Sequence, residues 1–305
     1  MHVALTGVSG FIGSTIAGHL KQAGHTVTGL VRTDSRRDHI EGLVDRFVVG
    51  DQADRSIFAP LLEDADCLVH NSVDWSVLKD KDLSAHLDRN VVAAIELIDA
   101  ARPRPVVFMS SIAVHHDMRP RWDGVIDEDH PTRPGTWYGA GKAAVEMHLF
   151  AQHATAGVPF AALRPCAVYG LDPRPSRSIG YPIIQRIERE RRFDKAGGGK
   201  FVHVDDVAAV AVAAINAVMR DDATALVCNL ADCYARWGDL ATMAAALLGV
   251  EADVDLSSPA TSRNTFTKDV ARQLGVPLDR GHAGLREHLR TLMATMDLAA
   301  ARSSG

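Results

Sequence analysis

Cysteine is scarce in this chain and follows no pattern. The four present, Cys67, Cys166, Cys228 and Cys233, form no CxxC pair. That excludes a disulfide scaffold and predicts reduced, mostly buried thiols in a cytoplasmic protein. Long apolar runs are missing as well. The most hydrophobic stretch, Val207–Met219, is alanine-rich and too short to span a bilayer. The N-terminus enters an apolar strand at once, so no signal peptide is expected. Positive charge is not in excess: 33 Lys and Arg against 38 Asp and Glu give a net charge of −5, which offers no reason to expect nucleic acid as a partner. The basic residues are scattered apart from two short stretches, 32–37 and 186–192, the second of which reads as the solvated face of a helix. Fourteen histidines are present, but no HExxH or comparable ligand spacing exists, and the adjacent His115–His116 are poorly placed to chelate together. No metal site is expected, and small molecules remain as the partners to consider.

What is present is ordinary for a globular enzyme-sized protein. The 305 residues are 47% hydrophobic and 23% charged, enough for one large α/β domain with a smaller annex. Val3–Thr6 reads as a buried strand, followed by the loop Gly7-Val8-Ser9-Gly10-Phe11-Ile12-Gly13 and a helix over Ser14–Ala23 that Gly24 caps. Further strands are expected at Thr26–Val31, Phe47–Val49, Cys67–His70, Val106–Met109, Phe160–Leu163 and Leu226–Leu230. Helices are expected at Val91–Ala101 and Trp137–Ala154, and a further one after Phe201–Val204, with Asp205-Asp206 as its cap. Strands alternating with helices predict a doubly wound parallel sheet. After Gly170 the rhythm breaks. Residues 171–182 hold three prolines and several arginines and read as a loop over a pocket; 235–296 reads as mainly helical and 297–305 as a frayed end. The expected organisation is a dinucleotide-binding domain over 1–170 plus 201–232, with a small discontinuous substrate domain over 171–200 plus 233–305.

Two features carry chemistry. The first is the glycine loop, set between a strand and a helix. Glycines let the backbone approach a pyrophosphate, and the N-terminus of the following helix favours its charge. Gly7, Ser9, Gly10, Phe11, Ile12 and Gly13 are therefore candidate cofactor contacts. The second is the pair Tyr138 and Lys142, four residues apart and so on one helix face, with Ser111 upstream. An ammonium beside a phenol favours the phenolate and lowers it from its usual value of about 10. Such a pair can give or take the proton that accompanies hydride transfer at a carbonyl or alcohol carbon. Arg32, at the end of the second strand, favours NADP, with Thr33, Ser35 and Arg36 as helpers, while Asp34 leaves NAD open.

GVSGFIG at 7–13, GD at 50–51, SSIAV at 110–114, YGAGK at 138–142, LRPCAVYG at 163–170 and FVHVDDVA at 201–208 occur in that order. With these motifs the chain resembles the extended short-chain dehydrogenases/reductases, the NAD(P)-dependent epimerase/dehydratase-like branch. The resemblance implies a nicotinamide cofactor across the carboxyl edge of the sheet. It implies Ser111 as the catalytic hydroxyl, Tyr138 as the acid/base and Lys142 as the ribose-binding group. It also implies that Asp51 reaches the adenine and that Asn90 shapes the active-site helix beside the cofactor. Gln52, next to Asp51, and Pro165, in the 163–170 motif, complete the candidate cofactor contacts. Pairing through two helices, one bearing the tyrosine, implies a homodimer.

Departures from the family pattern narrow the reaction. Ile112-Ala113 stands where dehydratases carry an Asp-Glu pair, and where reductive epimerases carry a cysteine. Ala167 replaces an asparagine common in nucleotide-sugar enzymes, Lys200 stands for an arginine before the 201–208 motif, and Gly141 replaces a common serine. Trp137 precedes the tyrosine, where it lines a pocket for an apolar or ring-shaped substrate or packs in the core. The resulting expectation is an NAD(P)-dependent oxidoreductase acting on a carbonyl or alcohol. The alternatives are a nucleotide-sugar 4-epimerase with tightly held NAD, and a non-catalytic dinucleotide sensor or scaffold.

Overall fold

The computed structural model describes residues 1–115, 124–221 and 224–303, those after 296 as backbone only. His116 and the last two residues of the expected frayed end lie outside the described residues. Seven strands form the central sheet: β1 (His2–Thr6), β2 (Thr26–Val31), β3 (Arg46–Val49), β4 (Cys67–His70), β5 (Val106–Met109), β6 (Phe160–Pro165) and β7 (Ala225–Leu230). Their spatial order is β7-β6-β5-β4-β1-β2-β3, with every neighbouring pair parallel. The direction of winding reverses between β1 and β4, and in such sheets ligands bind at the carboxyl ends beside that point.

The strands read as unbroken apolar runs because both faces are covered. Period-two alternation divides them between two cores. Val3, Leu5, Val107, Met109, Ala161 and Leu163 pack under the helices Phe11–Gln22 and Val204–Val218. Ala4, Val106, Phe108, Phe160 and Ala162 pack on the other face against Leu97 and Ile98 of the helix Ala93–Ala101 and Val145 and Leu149 of the helix Trp137–Ala156. A third core holds the helices Tyr181–Glu190, Trp237–Leu248 and Gly281–Ser303 through Ile183, Ile187, Leu240, Leu285 and Leu289. It closes over a three-stranded sheet of Ala167–Tyr169, Gly198–His203 and Cys233–Arg236.

Several local expectations change in detail. The first helix starts at Phe11, so Gly13 lies inside it, and Gly24 follows its end with φ of 76°. Asp205 and Asp206 fall in the first turn of the helix Val204–Val218, and its cap is His203, whose Nδ1 accepts from the Asp205 amide at 3.2 Å. Asp206 instead binds Arg280 at 2.8 Å. The helix expected from Val91 begins with a π-turn over Asp88–Val92. The stretch 235–296 includes the short strands Asp253–Val254 and Asn264–Phe266 between its helices. Trp137 is 64% exposed at the start of its helix, so it neither packs in the core nor lines the cleft described below.

Candidate active site

The carboxyl ends of β1, β2 and β4 open onto a groove of about 390 Å³ whose walls include Gly7, Ser9, Gly10, Phe11, Ile12, Arg32, Asp51 and Gln52. Gly7 supplies the sharp exit from β1 with φ of 68°, and the Gly10 amide donates to its carbonyl at 3.0 Å. Gly13 does not line the groove. It lets the helix approach the loop: a Cβ there would stand 2.1 Å from Gly7 O. Asp51 lies on the wall, where its carboxylate takes the Arg89 guanidinium at 2.7 Å and the Ala53 amide at 2.9 Å. Gln52 donates to Arg89 O and Asn90 Oδ1, both at 3.0 Å.

Asn90 stands behind the groove rather than on it. Its Oδ1 accepts from the Asp74 amide at 2.7 Å, and its Nδ2 donates to Asp74 O at 3.0 Å and to His86 Nδ1 at 3.1 Å. It ties the π-turn to the segment after β4. His86 in turn donates from Nε2 to Trp137 O at 3.1 Å, which seats the tyrosine helix. A Cβ on Gly141 would come within 2.9 Å of that imidazole nitrogen. The glycine standing for the family's serine thus makes room for His86.

A second cleft of about 500 Å³ adjoins the groove and holds Ser111, Tyr138, Lys142 and Pro165 together. Ile12, Asn71, Val73 and Trp75 line both spaces. Ser111, just past β5, donates to Pro165 O at 3.4 Å and accepts from the Ala113 amide at 3.1 Å. Thr136 caps the tyrosine helix by accepting the Gly139 amide at 3.1 Å. Two turns of that helix then place Tyr138, Lys142 and Glu146 in line.

The electrostatics differ from the expectation in one respect. Burial raises the Tyr138 phenol, and hydrogen bonding from Ser111 opposes this. Lys142 is itself lowered to about 7 by burial, against the pull of Glu146. Its Nζ donates to Met109 O at 2.6 Å and lies 5.9 Å from the Tyr138 ring centre, so dehydration outweighs the cation at the phenol.

Below the cleft lies a buried polar network that the motifs do not reveal. Glu146, 0% exposed, receives Arg164 at 3.0 Å and 2.7 Å and also accepts from Ser110. Arg164 donates on to His115 Nε2 at 2.9 Å, and His115 Nδ1 donates to Pro131 O at 3.2 Å. Burial and the neighbouring guanidinium lower His115 to about 4. Trp75 also lines the cleft, its ring 4.8 Å from that of Tyr138. The one sequence sign of the network is the four-residue step from Lys142 to Glu146.

A glycine loop, a groove across the switch point and a serine–tyrosine–lysine cleft beside it define a dinucleotide-binding oxidoreductase site. The shape suits the implied cofactor: the loop backbone faces the groove, and the groove runs on into the cleft. The sequence matches the NAD dependent epimerase/dehydratase family over residues 3–228, and the chain belongs to that family. It is an enzyme of the NAD(P)-dependent reductase or epimerase type. It is 31% identical to a UDP-glucose 4-epimerase of Mycolicibacterium smegmatis over 68% of this chain and 71% of that one. It is 28% identical to a 3-diazoavenalumate denitrifying reductase of a Streptomyces species over 70% and 72%. In fold it matches MoeE5, solved with UDP-glucose and NAD, at a TM-score of 0.78 and 24% identity over 98% of this chain and all of the other. Among the described residues no helix is long and apolar enough to cross a membrane, and no cluster of side chains is arranged to hold a metal ion. The four cysteines are free, and burial raises each thiol.

Proposed function

We propose that this protein is an NADP-preferring reductase of a ketone or aldehyde, or the enzyme of the reverse oxidation. The observation that carries the reading is the cleft that joins Ser111, Tyr138 and Lys142 while including no Asp or Glu among its described lining residues. When bound, the nicotinamide supplies or accepts the hydride. Tyr138 Oη holds the proton exchanged with the substrate oxygen, Ser111 Oγ orients that oxygen, and Lys142 would hold the cofactor's ribose. The raised phenol suits the reductive direction, in which Tyr138 begins protonated. Ile112, Val168 and Phe266 give the cleft apolar walls.

Support for NADP comes from the mouth of the groove. Arg32, Arg36, Arg174 and Arg177 line a recess of about 150 Å³ beside Ser9 and Gly10, with Asp34 and Asp172 on the same walls. Such a concentration of guanidinium groups suits a 2′-phosphate. The lobe formed by 171–200 and 233–305 acts in this reading as the substrate domain. Two copies pair through the helices that expose Leu87, Val92, Met147 and Phe150. Four free thiols suit a cytoplasmic setting.

The second reading, a nucleotide-sugar 4-epimerase, is favoured by the relative in M. smegmatis. Turnover separates the two. Net consumption of NADPH with a carbonyl panel supports reduction, whereas co-purified NAD and activity without added cofactor support epimerisation. Tyr138→Phe is expected to lower the reductive rate about 10²-fold or more while leaving NADPH affinity unchanged. Arg32→Ala is expected to weaken NADPH far more than NADH. Intact reduction in the first variant, or equal losses in the second, contradicts the corresponding claim.

A further inference from the structure

Lys200 is a cation that the proton chemistry does not use. It lies on the strand Gly198–His203, which alternates Phe201 into the third core and Lys200 into the cleft. Its Nζ donates to Asn264 Oδ1 at 2.9 Å and lies 5.6 Å from the Phe266 ring centre. Both partners line the same cleft as Ser111 and Tyr138. Among the described residues no carboxylate stands within ion-pairing distance of Lys200, although most other half-buried cations here have one: Arg89 has Asp74 at 2.6 Å, and Lys268 has Asp232 at 2.9 Å. The amide of Asn264 fixes the ammonium without neutralising it, and burial lowers its pKa, as a partly dehydrated cation lacking a counter-ion must show. A dehydrated ammonium at the wall of the cleft is held at a cost that an anionic ligand removes.

We infer that Lys200, steadied by Asn264, receives a carboxylate on the substrate, so that the protein acts on a carbonyl compound carrying an acid group on an apolar, ring-bearing frame. The ring is indicated by Trp75 and Phe266 on the same walls. This rests on the carbonyl-reductase reading given above. Lys200 is a specificity-determining residue in this scheme, distant in role from Ser111, Tyr138 and Lys142.

The test is calorimetric titration of the NADP⁺-saturated full chain with 3- and 4-acetylbenzoate, with their methyl esters and with UDP. A charge-assisted hydrogen bond predicts that at least one acid binds about tenfold or more tightly than its ester. Lys200→Gln is expected to bring the acid and ester within about threefold of each other by weakening the acid alone, and Lys200→Arg to preserve the preference. Binding of acid and ester alike by the wild type, binding of neither, or an undiminished preference in Lys200→Gln overturns the inference. So does Lys200-dependent binding of UDP tighter than that of either acid, which returns the substrate to the nucleotide sugars. The wild-type comparison stands even if a variant fails to fold. Binding is read without turnover, so a Tyr138→Phe variant that still reduces carbonyls would defeat the reductase reading and leave the anion site to be judged by these titrations.

Discussion

Glu146→Gln removes one charge from the interior and little else. The side chain keeps its volume, and one oxygen remains to accept from Ser110 or from Arg164. What is lost is the counter-charge to a guanidinium that is only 2% exposed and is otherwise bound to His115 Nε2 and the Glu128 carbonyl, both neutral. Removing one member of a buried pair costs about 3–5 kcal/mol, because the survivor is left uncompensated. The retained hydrogen bond places this variant near the lower end, about 3 kcal/mol. Urea unfolding followed by far-ultraviolet circular dichroism measures it. The companion is Glu146→Leu with Arg164→Met, which replaces the pair by apolar groups of similar length. It is expected to regain about 2 kcal/mol of the loss, since desolvation of both ions is then avoided. A loss below about 1 kcal/mol in Glu146→Gln, or a double variant less stable than the single one, would refute the claim that uncompensated charge sets the cost.

Gly13→Ala is expected to abolish tight dinucleotide binding while leaving the sheet folded, because the added Cβ would meet Gly7 O at 2.1 Å and only movement of the loop relieves it; fluorescence titration with NADPH within about threefold of wild type contradicts this. Acid stability follows from two buried neutral imidazoles. His70 is lowered to about 3 and His115 to about 4, both chiefly by burial. As pH falls below the usual 6.5, the unfolded chain takes up protons that the native state refuses, so stability declines from there towards pH 4 and continues to about 3 for His70. His115 alone accounts for about 3 kcal/mol of that decline, at about 1.4 kcal/mol per unit. His115→Asn is therefore expected to flatten the fall between pH 6.5 and 4, and an unchanged slope in urea midpoints counts against the assignment.

The parts legible in the sequence are those written in short spacings. The glycine loop, the runs that became β1 to β7 and the Tyr138–Lys142 step each lie within a few residues and depend on local geometry. The parts that escaped depend on residues distant in the chain. Arg164 meets Glu146 across the joint between a strand and a helix, and Trp75 reaches Tyr138 from the segment after β4. Arg177 reaches the recess at the glycine loop from the segment after Gly170. Trp137 was misread because its neighbour faces the cleft; one step along a helix turns a side chain by about 100°, enough to send it to solvent. Asp205 and Asp206 carry the right chemistry for a cap, but the strand Gly198–His203 stops one residue before the apolar run Phe201–Val204 does, so the helix starts at Val204 and His203 takes the capping position.

Ile12, Asn71, Val73 and Trp75 form a partition common to the groove and the cleft. A molecule seated on one side meets residues that also bound the other. Any change that one occupant makes in the other's affinity through this partition is returned by an equal factor.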